Sequence, residues 1–208
     1  LFGVVTLSFL LVSVTPGDPA RLLAGPMASD SQVEAIRKEL GLDKPILERY
    51  VDYMSGLLRG DLGESYYSKQ PVTTEILEKL PATLELIVLA VLFAAVVGIA
   101  LGAAAAYFRG RLPDRISRIF TGFFQAIPDF FLGLLLIYFL FFLLGWAPAP
   151  SGQLGFTESA PERVTGFIPI DALIAGDPAL AASAIKHLGL PVLTLGLVYA
   201  AYFAKTAR

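Results

Sequence analysis

Long apolar runs alternate along the chain with charged, turn-rich segments. The runs over residues 83–107 and 119–145 exceed the roughly 20 residues that a helix needs to cross the hydrocarbon core of a bilayer, and the run over 187–204 is just long enough. The run over 1–14 is shorter but carries no charge, and we expect it to be the outer part of a truncated span. The pattern therefore predicts four membrane-spanning helices.

The segments between these runs differ in charge. Residues 108–118 contain four arginines against one acid, and residues 205–208 add two bases. In residues 15–82 and 146–186 the acids outnumber the bases. Because basic connections stay on the cytoplasmic side, we expect the first two segments to be cytoplasmic and the last two to be extracytoplasmic.

The external segment 15–82 has helical periodicity. Ser31 and Glu34 have the spacing of a capping box at a helix start, and a second helix is expected from about Asp43 to Gly60. The sequence thus predicts a folded helical region outside the membrane.

The entry to the second span carries a proline and an acid. A third short helix is expected from Thr73 or Thr74 to Leu80, with Pro81 marking the start of the span. Glu85 follows one turn later, and we expect its carboxylate to lie at the interface in contact with water.

Composition supports a polytopic all-α membrane protein and excludes several functions. The chain has 208 residues, 55% of them hydrophobic and 16% charged, with a mean hydropathy of +0.67. A net charge of −2 gives no basic surface for nucleic acid. With no cysteine and one histidine, a disulfide framework and a Cys/His metal site are excluded.

Catalytic motifs are also missing from the sequence. There is no G-x-x-x-x-G-K-[ST] phosphate loop, no H-E-x-x-H and no G-x-S-x-G. Ser183 and His187 stand four residues apart and could meet on one helical face, but no third orienting group follows. We therefore expect no catalytic residue, no bound metal and no cofactor, with an intramembrane hydrolase as a minor alternative.

Asp129 is an acidic residue within the third apolar run. At 1.5 Å per residue it would lie about 16 Å beyond Arg118, near the middle of the bilayer. Pro128 precedes it and frees a carbonyl in the previous turn. Two interpretations stay open: Gln125 and Asp129 satisfy polar groups exposed by the kink, or the Q-A-I-P-D-F-F stretch lines a water-filled path.

Small residues on the second run predict close helix packing. Gly98 and Gly102 form a G-x-x-x-G pair, and alanines extend the same face. This pattern indicates a helix bundle or an oligomer, and it says nothing about a substrate.

Six blocks, in this order, resemble one family of proteins. They are P-G-D-P-A (16–20), L-G-L-D-K-P (40–45), G-L-L-R-G-D-L-G-E-S-Y (56–66), Q-P-V-T-T-E-I-L-E-K-L-P-A-T-L-E-L (70–86), I-P-D-F-F-L-G-L-L-L-I (127–137) and the run from His187 to Arg208. The family is the inner-membrane permease subunit of bacterial ABC importers of the dipeptide, oligopeptide and nickel class.

The resemblance implies a type I ABC importer transmembrane domain. Family members have six spans, so this chain would be a fragment with about four of them plus the external helical segment. The permease would pair with a second, homologous permease in the lipid bilayer of the inner membrane. Two ATP-binding subunits would hold the ATPase activity, and an extracytoplasmic solute-binding protein would deliver a peptide or a related small solute, with nickel also possible.

Few site residues follow from the resemblance. Gly60, Asp61, Leu62 and Gly63 match the external G-D-L-G block of the family, and Pro128 matches its third-span proline. The loop that couples the permease to the ATPases would begin at Lys205 to Arg208. The alternative from another class is an ion-coupled secondary transporter, with Asp129 as the titrating group.

Overall fold

The computed structural model of the chain describes residues 2–14, 17–65 and 67–208. Leu1, Thr15, Pro16 and Tyr66, which belong to the first predicted span, the external segment and two of the sequence blocks, lie outside the described residues. The helices are α1 (Phe2–Val14), α2 (Pro19–Ala24), α3 (Asp30–Glu39), α4 (Ile46–Leu58), α5 (Val72–Tyr107), α6 (Leu112–Ala126), α7 (Asp129–Leu136), α8 (Ile168–Ile174) and α9 (Pro178–Ala207), with a π-helical segment, Ile137–Leu143, after α7. In this part of the chain, the one extended pairing is an isolated bridge between Glu64 and Pro71. The all-α prediction is confirmed.

The chain divides into two compact units, Leu1–Glu78 and Lys79–Arg208. In the first unit, α1 packs against α4 through aromatic rings. The ring of Phe9 lies 5.3 Å from that of Tyr50 and 5.4 Å from that of Tyr53. The hydroxyls of Thr6 and Tyr50 are hydrogen-bonded at 2.8 Å. The uncharged first helix therefore carries a polar and aromatic contact to the helical region that follows it.

The start of α3 differs from the prediction by two residues. Ser29, not Ser31, caps the helix, and Gln32, not Glu34, returns the reciprocal bond to the Ser29 amide. Glu34 instead pairs with Arg37 at 3.2 Å. Two overlapping capping patterns stand in the sequence, and the earlier one places Val33 on the buried face.

The predicted break at Pro81 is wrong, because α5 runs continuously from Val72 to Tyr107 through that proline. The Thr83 hydroxyl donates to the Lys79 carbonyl in the turn that contains it. Pro81 removes one backbone donor, but the helix continues on both sides of it. The predicted short helix and the predicted second span are therefore one helix.

In the second unit, α5 and α9 approach each other through small residues. A Cβ added to Gly98 would lie 2.5 Å from the Cβ of Phe203 and 2.6 Å from the Ala200 carbonyl oxygen. One added to Gly102 would lie 2.7 Å from the Ala204 carbonyl oxygen. The predicted close packing is confirmed, and its partner is a helix of the same chain.

The third apolar run does not form a single straight span. The helix ends at Ala126, and α7 starts at Asp129 after a bend of 105°. Pro128 lies at this break in an extended conformation and cannot donate to the preceding turn. The proline kink expected from the sequence is therefore a full break between two helices.

The fourth span starts nine residues earlier than the predicted start at His187. Asp177 caps α9 by accepting a hydrogen bond from the Leu180 amide, and Pro178 occupies the first position of the helix. An acid at the cap followed by proline is a strong start signal. The helix then continues through Pro191 to Ala207.

Among the residues that the structure describes, two helices, α5 and α9, are long and apolar enough to cross a membrane, and the bent pair α6–α7 can count as a third. The 13-residue α1 is shorter than a full span. Large apolar side chains remain exposed on α5, among them Val88, Leu92, Val96 and Ile99. In a water-soluble protein such a face would need a covering partner, whereas lipid covers it directly.

Candidate solute cavity

A cavity of about 680 Å³ opens within the second unit between α5, α7, α9 and the loop after the π-helical segment. Its wall is mainly apolar, with a few polar side chains. It is lined by Ala82, Thr83, Leu86, Asp129, Phe130, Gly133, Ile137, Pro148, Ala149, Pro150, Gly152, Gln153, His187, Leu188, Leu190, Pro191, Thr194 and Leu195. A volume of this size and an apolar wall with few polar groups are typical of small-molecule sites.

Asp129 brings a carboxylate to this wall. It is the first residue of α7, directly after the break at Pro128, and its side chain is exposed. No hydrogen bond or ion pair joins its carboxylate to another of the residues that the structure describes. The break thus presents an unpaired negative charge to the cavity.

Glu85 does not lie in water as the sequence suggested. Its side chain is buried with 9% of its surface exposed, and Gln153 donates a hydrogen bond of 3.3 Å to its carboxylate. Gln153 belongs to a loop that is distant in sequence, so its cover over Glu85 could not be predicted from local patterns. The contact fastens one wall of the cavity to α5.

Hydrogen bonds also join the loop that contains Gln153 to α8. The Asp171 carboxylate accepts hydrogen bonds from the Thr165 amide at 2.7 Å, from the Thr165 hydroxyl at 2.6 Å and from the Gly166 amide at 2.9 Å. Burial acts to raise the pKa of the Asp171 carboxyl, but these donors outweigh it and hold that pKa below its ordinary value. Gly166 itself lies so close to Pro81 of α5 that a Cβ would be 2.8 Å from the proline ring.

A third anchor joins the loop to α9. Glu158 accepts hydrogen bonds of 2.8 Å from the Gly155 amide and of 2.8 Å from the Ser183 hydroxyl. These two donors hold the pKa of Glu158 below its ordinary value. The loop is therefore a built wall of the cavity, tied to α5 and α9 by charged side chains.

Ser183 and His187 do not form a hydrolase pair. The Ser183 hydroxyl donates to Glu158, and the Nδ1 atom of His187 lies 2.9 Å from the Ser183 carbonyl oxygen. Among the described residues, no hydrogen bond joins the Ser183 hydroxyl to a ring nitrogen of His187, so the imidazole is not placed to activate it. His187 lines the cavity as a polar wall residue instead.

The structure separates the three residues that the sequence grouped around the third span. Only Asp129 lines the cavity. Gln125 faces α9, where its amide donates to the Ala201 carbonyl at 3.5 Å, and Pro128 lies at the break and accepts from the Phe131 and Leu132 amides. Gln125 therefore bonds to α9 and not to a polar group exposed by the break at Pro128.

The G-D-L-G block forms a tight turn in the first unit. Gly60 and Gly63 have φ values of +83° and +78°, in the left-handed region that favours glycine. The Asp61 carboxylate accepts a hydrogen bond of 2.8 Å from the Gly63 amide. Leu62 and Gly63 line a separate cavity of about 780 Å³ bounded by α1, α3 and α4.

At its other end, the second unit has a charged cluster around Asp114. This carboxylate has 1% of its residue surface exposed and accepts hydrogen bonds from the Gly110 amide at 2.9 Å and from Arg118 at 2.7 Å. Arg208 lies 2.9 Å from its other oxygen. Of the two residues expected to start the coupling loop, Arg208 thus fastens α9 to α6, while Lys205 lies in the last turn of α9.

Three acids that organise this unit escaped the sequence interpretation: Asp114, Glu158 and Asp171. Two of them left a signal, because Asp114 and Asp171 both follow a proline at the start of a helix. Glu158 left none, since its partners are brought together only by the tertiary fold. In the part of the chain that the structure describes, no group of three acidic or histidine side chains could hold a metal ion.

Two family models match the sequence. The model described as "Binding-protein-dependent transport system inner membrane component" matches residues 98–208. The model of the N-terminal membrane component of the same transport systems matches residues 1–87. Together they leave only the middle of α5 unmatched.

Curated relatives match over the whole chain. A probable D,D-dipeptide transport system permease protein of Escherichia coli strain K12 is 41% identical over 206 residues, which is 99% of this chain and 60% of the relative. A di/tripeptide transport system permease protein of Pseudomonas aeruginosa strain UCBPP-PA14 is 39% identical, covering 100% of this chain and 61% of the relative. A glutathione transport system permease protein of Escherichia coli strain K12 is 36% identical, covering 100% and 58%. The chain therefore spans about three fifths of the length of these relatives.

Proposed function

The chain belongs to the family of binding-protein-dependent transport system inner membrane components, and we propose that it is a permease subunit of an ATP-driven importer of peptides or a related small solute. The observation that carries this proposal is the cavity between α5, α7 and α9, which lies within helices that can cross a membrane. The relatives named for dipeptide, di/tripeptide and glutathione transport support the class of solute.

We propose that the cavity around Asp129 is a section of the solute path. Its apolar wall would accept side chains of varied shape, and the unpaired carboxylate would attract the ammonium group that a peptide carries at its amino end. Selection would then rest on one charge and on volume. Such a site suits a path that must release its cargo as well as bind it.

The proposed assembly contains four kinds of component. This chain and a second, homologous permease enclose the path, two ATP-binding subunits supply the energy, and a solute-binding protein delivers the cargo from outside. In this scheme the helical region 15–82, with the Gly60–Gly63 turn, faces the binding protein, and the end at Lys205 and Arg208 faces the ATPases. Alternating access would move the cavity between the two sides of the membrane.

The topology follows from the same proposal. Residues 146–186 lie outside and residues 108–118 lie inside, as their charges indicate. The chain has no cysteine, so a single Cys at exposed Ser159 is expected to react with an impermeant maleimide on intact cells, and one at exposed Arg111 only after lysis. The reverse pattern of labelling would contradict the topology.

Uptake by cells tests the function. Deletion of the gene is expected to abolish ATP-dependent uptake of labelled di- and tripeptides or of glutathione, and expression of the gene to restore it. Uptake that depends on the proton or sodium gradient and persists after loss of the partner ATPase would favour the ion-coupled transporter. Neither the described structure nor the relatives give support to that alternative.

A further inference from the structure

The second unit contains another cavity, whose lining is mainly basic, whereas the lining of the Asp129 cavity is mainly apolar. It has a volume of about 400 Å³ and lies where α5 and α9 end and α6 begins. Its polar lining residues are Arg109, Ser117, Thr121, Lys205 and Arg208, and the remainder of the wall is two alanines of α5. Three of the five polar groups carry a positive charge, and none carries a negative one.

The nearby carboxylate does not neutralise this charge. Asp114 is engaged by the Gly110 amide, by Arg118 and by Arg208. Arg109 and Lys205 form no ion pair with any acid in the described ranges, and Arg111 and Arg115 of the same connection add further positive charge. Of the three basic side chains in the cavity wall, Arg208 is paired with Asp114, and Arg109 and Lys205 have no acidic partner in the described ranges.

A buried donor points to the kind of ligand. Ser117 has 1% of its surface exposed, and its hydroxyl has no hydrogen-bond partner within the described structure. Buried hydroxyls are almost always bonded, so a lone one on a cavity wall requires an explanation. Thr121 needs none, because its hydroxyl donates to the Arg118 carbonyl at 3.1 Å.

We propose that this cavity binds a phosphate-class anion, either the phosphoryl group of an anionic phospholipid or a free phosphate. Arg109 offers the planar fork that matches two phosphate oxygens, Lys205 adds a point charge, and the Ser117 hydroxyl donates to a third oxygen. Basic pockets between membrane helices are suited to lipid headgroups. The site lies apart from Asp129 and does not depend on the identity of the imported solute.

The test measures binding to the purified protein directly, by calorimetry and native mass spectrometry. The probes are short-chain phosphatidylglycerol and inorganic phosphate, with short-chain phosphatidylcholine as the lipid without net charge. Arg109→Gln and Ser117→Ala remove two of the proposed contacts. Arg115→Gln removes the same charge from an exposed position that does not line the cavity, and thermal melting shows whether each variant is folded.

We expect phosphatidylglycerol to bind more tightly than phosphatidylcholine, and Arg109→Gln to raise its Kd about tenfold. Ser117→Ala should raise the Kd by a smaller factor, and Arg115→Gln should leave it within about twofold. If inorganic phosphate binds and displaces the lipid, the site takes a free phosphate as well; if it does not, the ligand is the lipid headgroup. Equal effects of Arg109→Gln and Arg115→Gln, or binding of neither anion by the folded wild type, would overturn the proposal.

Discussion

Asp114 and Asp129 are two aspartates in consecutive helices, and they differ in burial and in their ionic partners. Asp114 is buried near the start of α6 and is held by an amide and two arginines. Asp129 begins α7, is exposed on a cavity wall and has no ionic partner among the described residues. The Asp114 carboxylate stabilises the fold through contacts within the chain, and the Asp129 carboxylate is free to interact with water or a ligand.

The difference shows how an acid in an apolar chain can be interpreted. A buried carboxylate is stable only where donors replace its water, and Asp114 satisfies this condition within the protein. Asp129 satisfies it only with water or a ligand in the cavity. We therefore expect mutation of Asp114 to reduce folding and mutation of Asp129 to reduce transport.

The largest expected effect is on folding at Asp114. Asp114→Ala leaves Arg118 and Arg208 without their shared partner and frees the Gly110 amide, so we expect several-fold less folded protein in membranes. Asp129→Ala is the matched change and should leave the yield near that of the wild type. Fluorescence size-exclusion chromatography measures both, and equal losses would remove the distinction between the two acids.

The next effect is on transport at Asp129. Asp129→Asn keeps the shape of the side chain but removes the charge that would attract an ammonium group, and we expect uptake of a dipeptide at low concentration to fall roughly tenfold. Asp129→Glu keeps the charge and should retain most of the uptake. Uptake assays normalised to the amount of permease in the membrane measure both, and full uptake by Asp129→Asn would leave the carboxylate without a role in the path.

The smallest effect concerns pH and the loop that walls the cavity. The pKa of Glu158 is lower in the folded protein than in the unfolded chain, so its contribution to stability is present above the ordinary glutamate pKa of about 4.3 and is lost as pH falls through the folded value. The protection factors of the loop amides near Gly155, which correct exchange rates for their intrinsic pH dependence, should decrease in that acid range. In Glu158→Gln, the protection factors should be lower at neutral pH and should change much less with acid; an unchanged acid dependence of the protection factors would assign the effect to another group.

Local signals in the sequence predicted much of the fold but not its long-range contacts. The apolar runs indicated the long helices, and the Gly98–Gly102 pair indicated a close helix contact, because both depend on neighbours in sequence. The burial of Glu85 depends on the distant Gln153, and Pro81 packs against the distant Gly166. A single sequence does not encode such pairings visibly.

The candidate site shows the same limit. Asp129 could be selected from the sequence as a charge inside an apolar run, and it does reach a cavity wall. Gln125 could not be separated from it, because only the 105° bend turns the two residues to different neighbours. The basic cavity near Ser117 could not be predicted from the sequence, since its residues come from α5, α6, α9 and the segments at their ends.

Labelling of a cysteine inside the cavity tests the central claim most directly. Thr194 lines the cavity, and Leu92 is 58% exposed on the outer face of α5, so each can be replaced by Cys in a chain that has none. We predict that a charged methanethiosulfonate reagent modifies Thr194→Cys and blocks uptake, that saturating peptide slows this reaction, and that Leu92→Cys retains its uptake. If Thr194→Cys is modified without loss of uptake and without protection by peptide, the cavity is not part of the solute path.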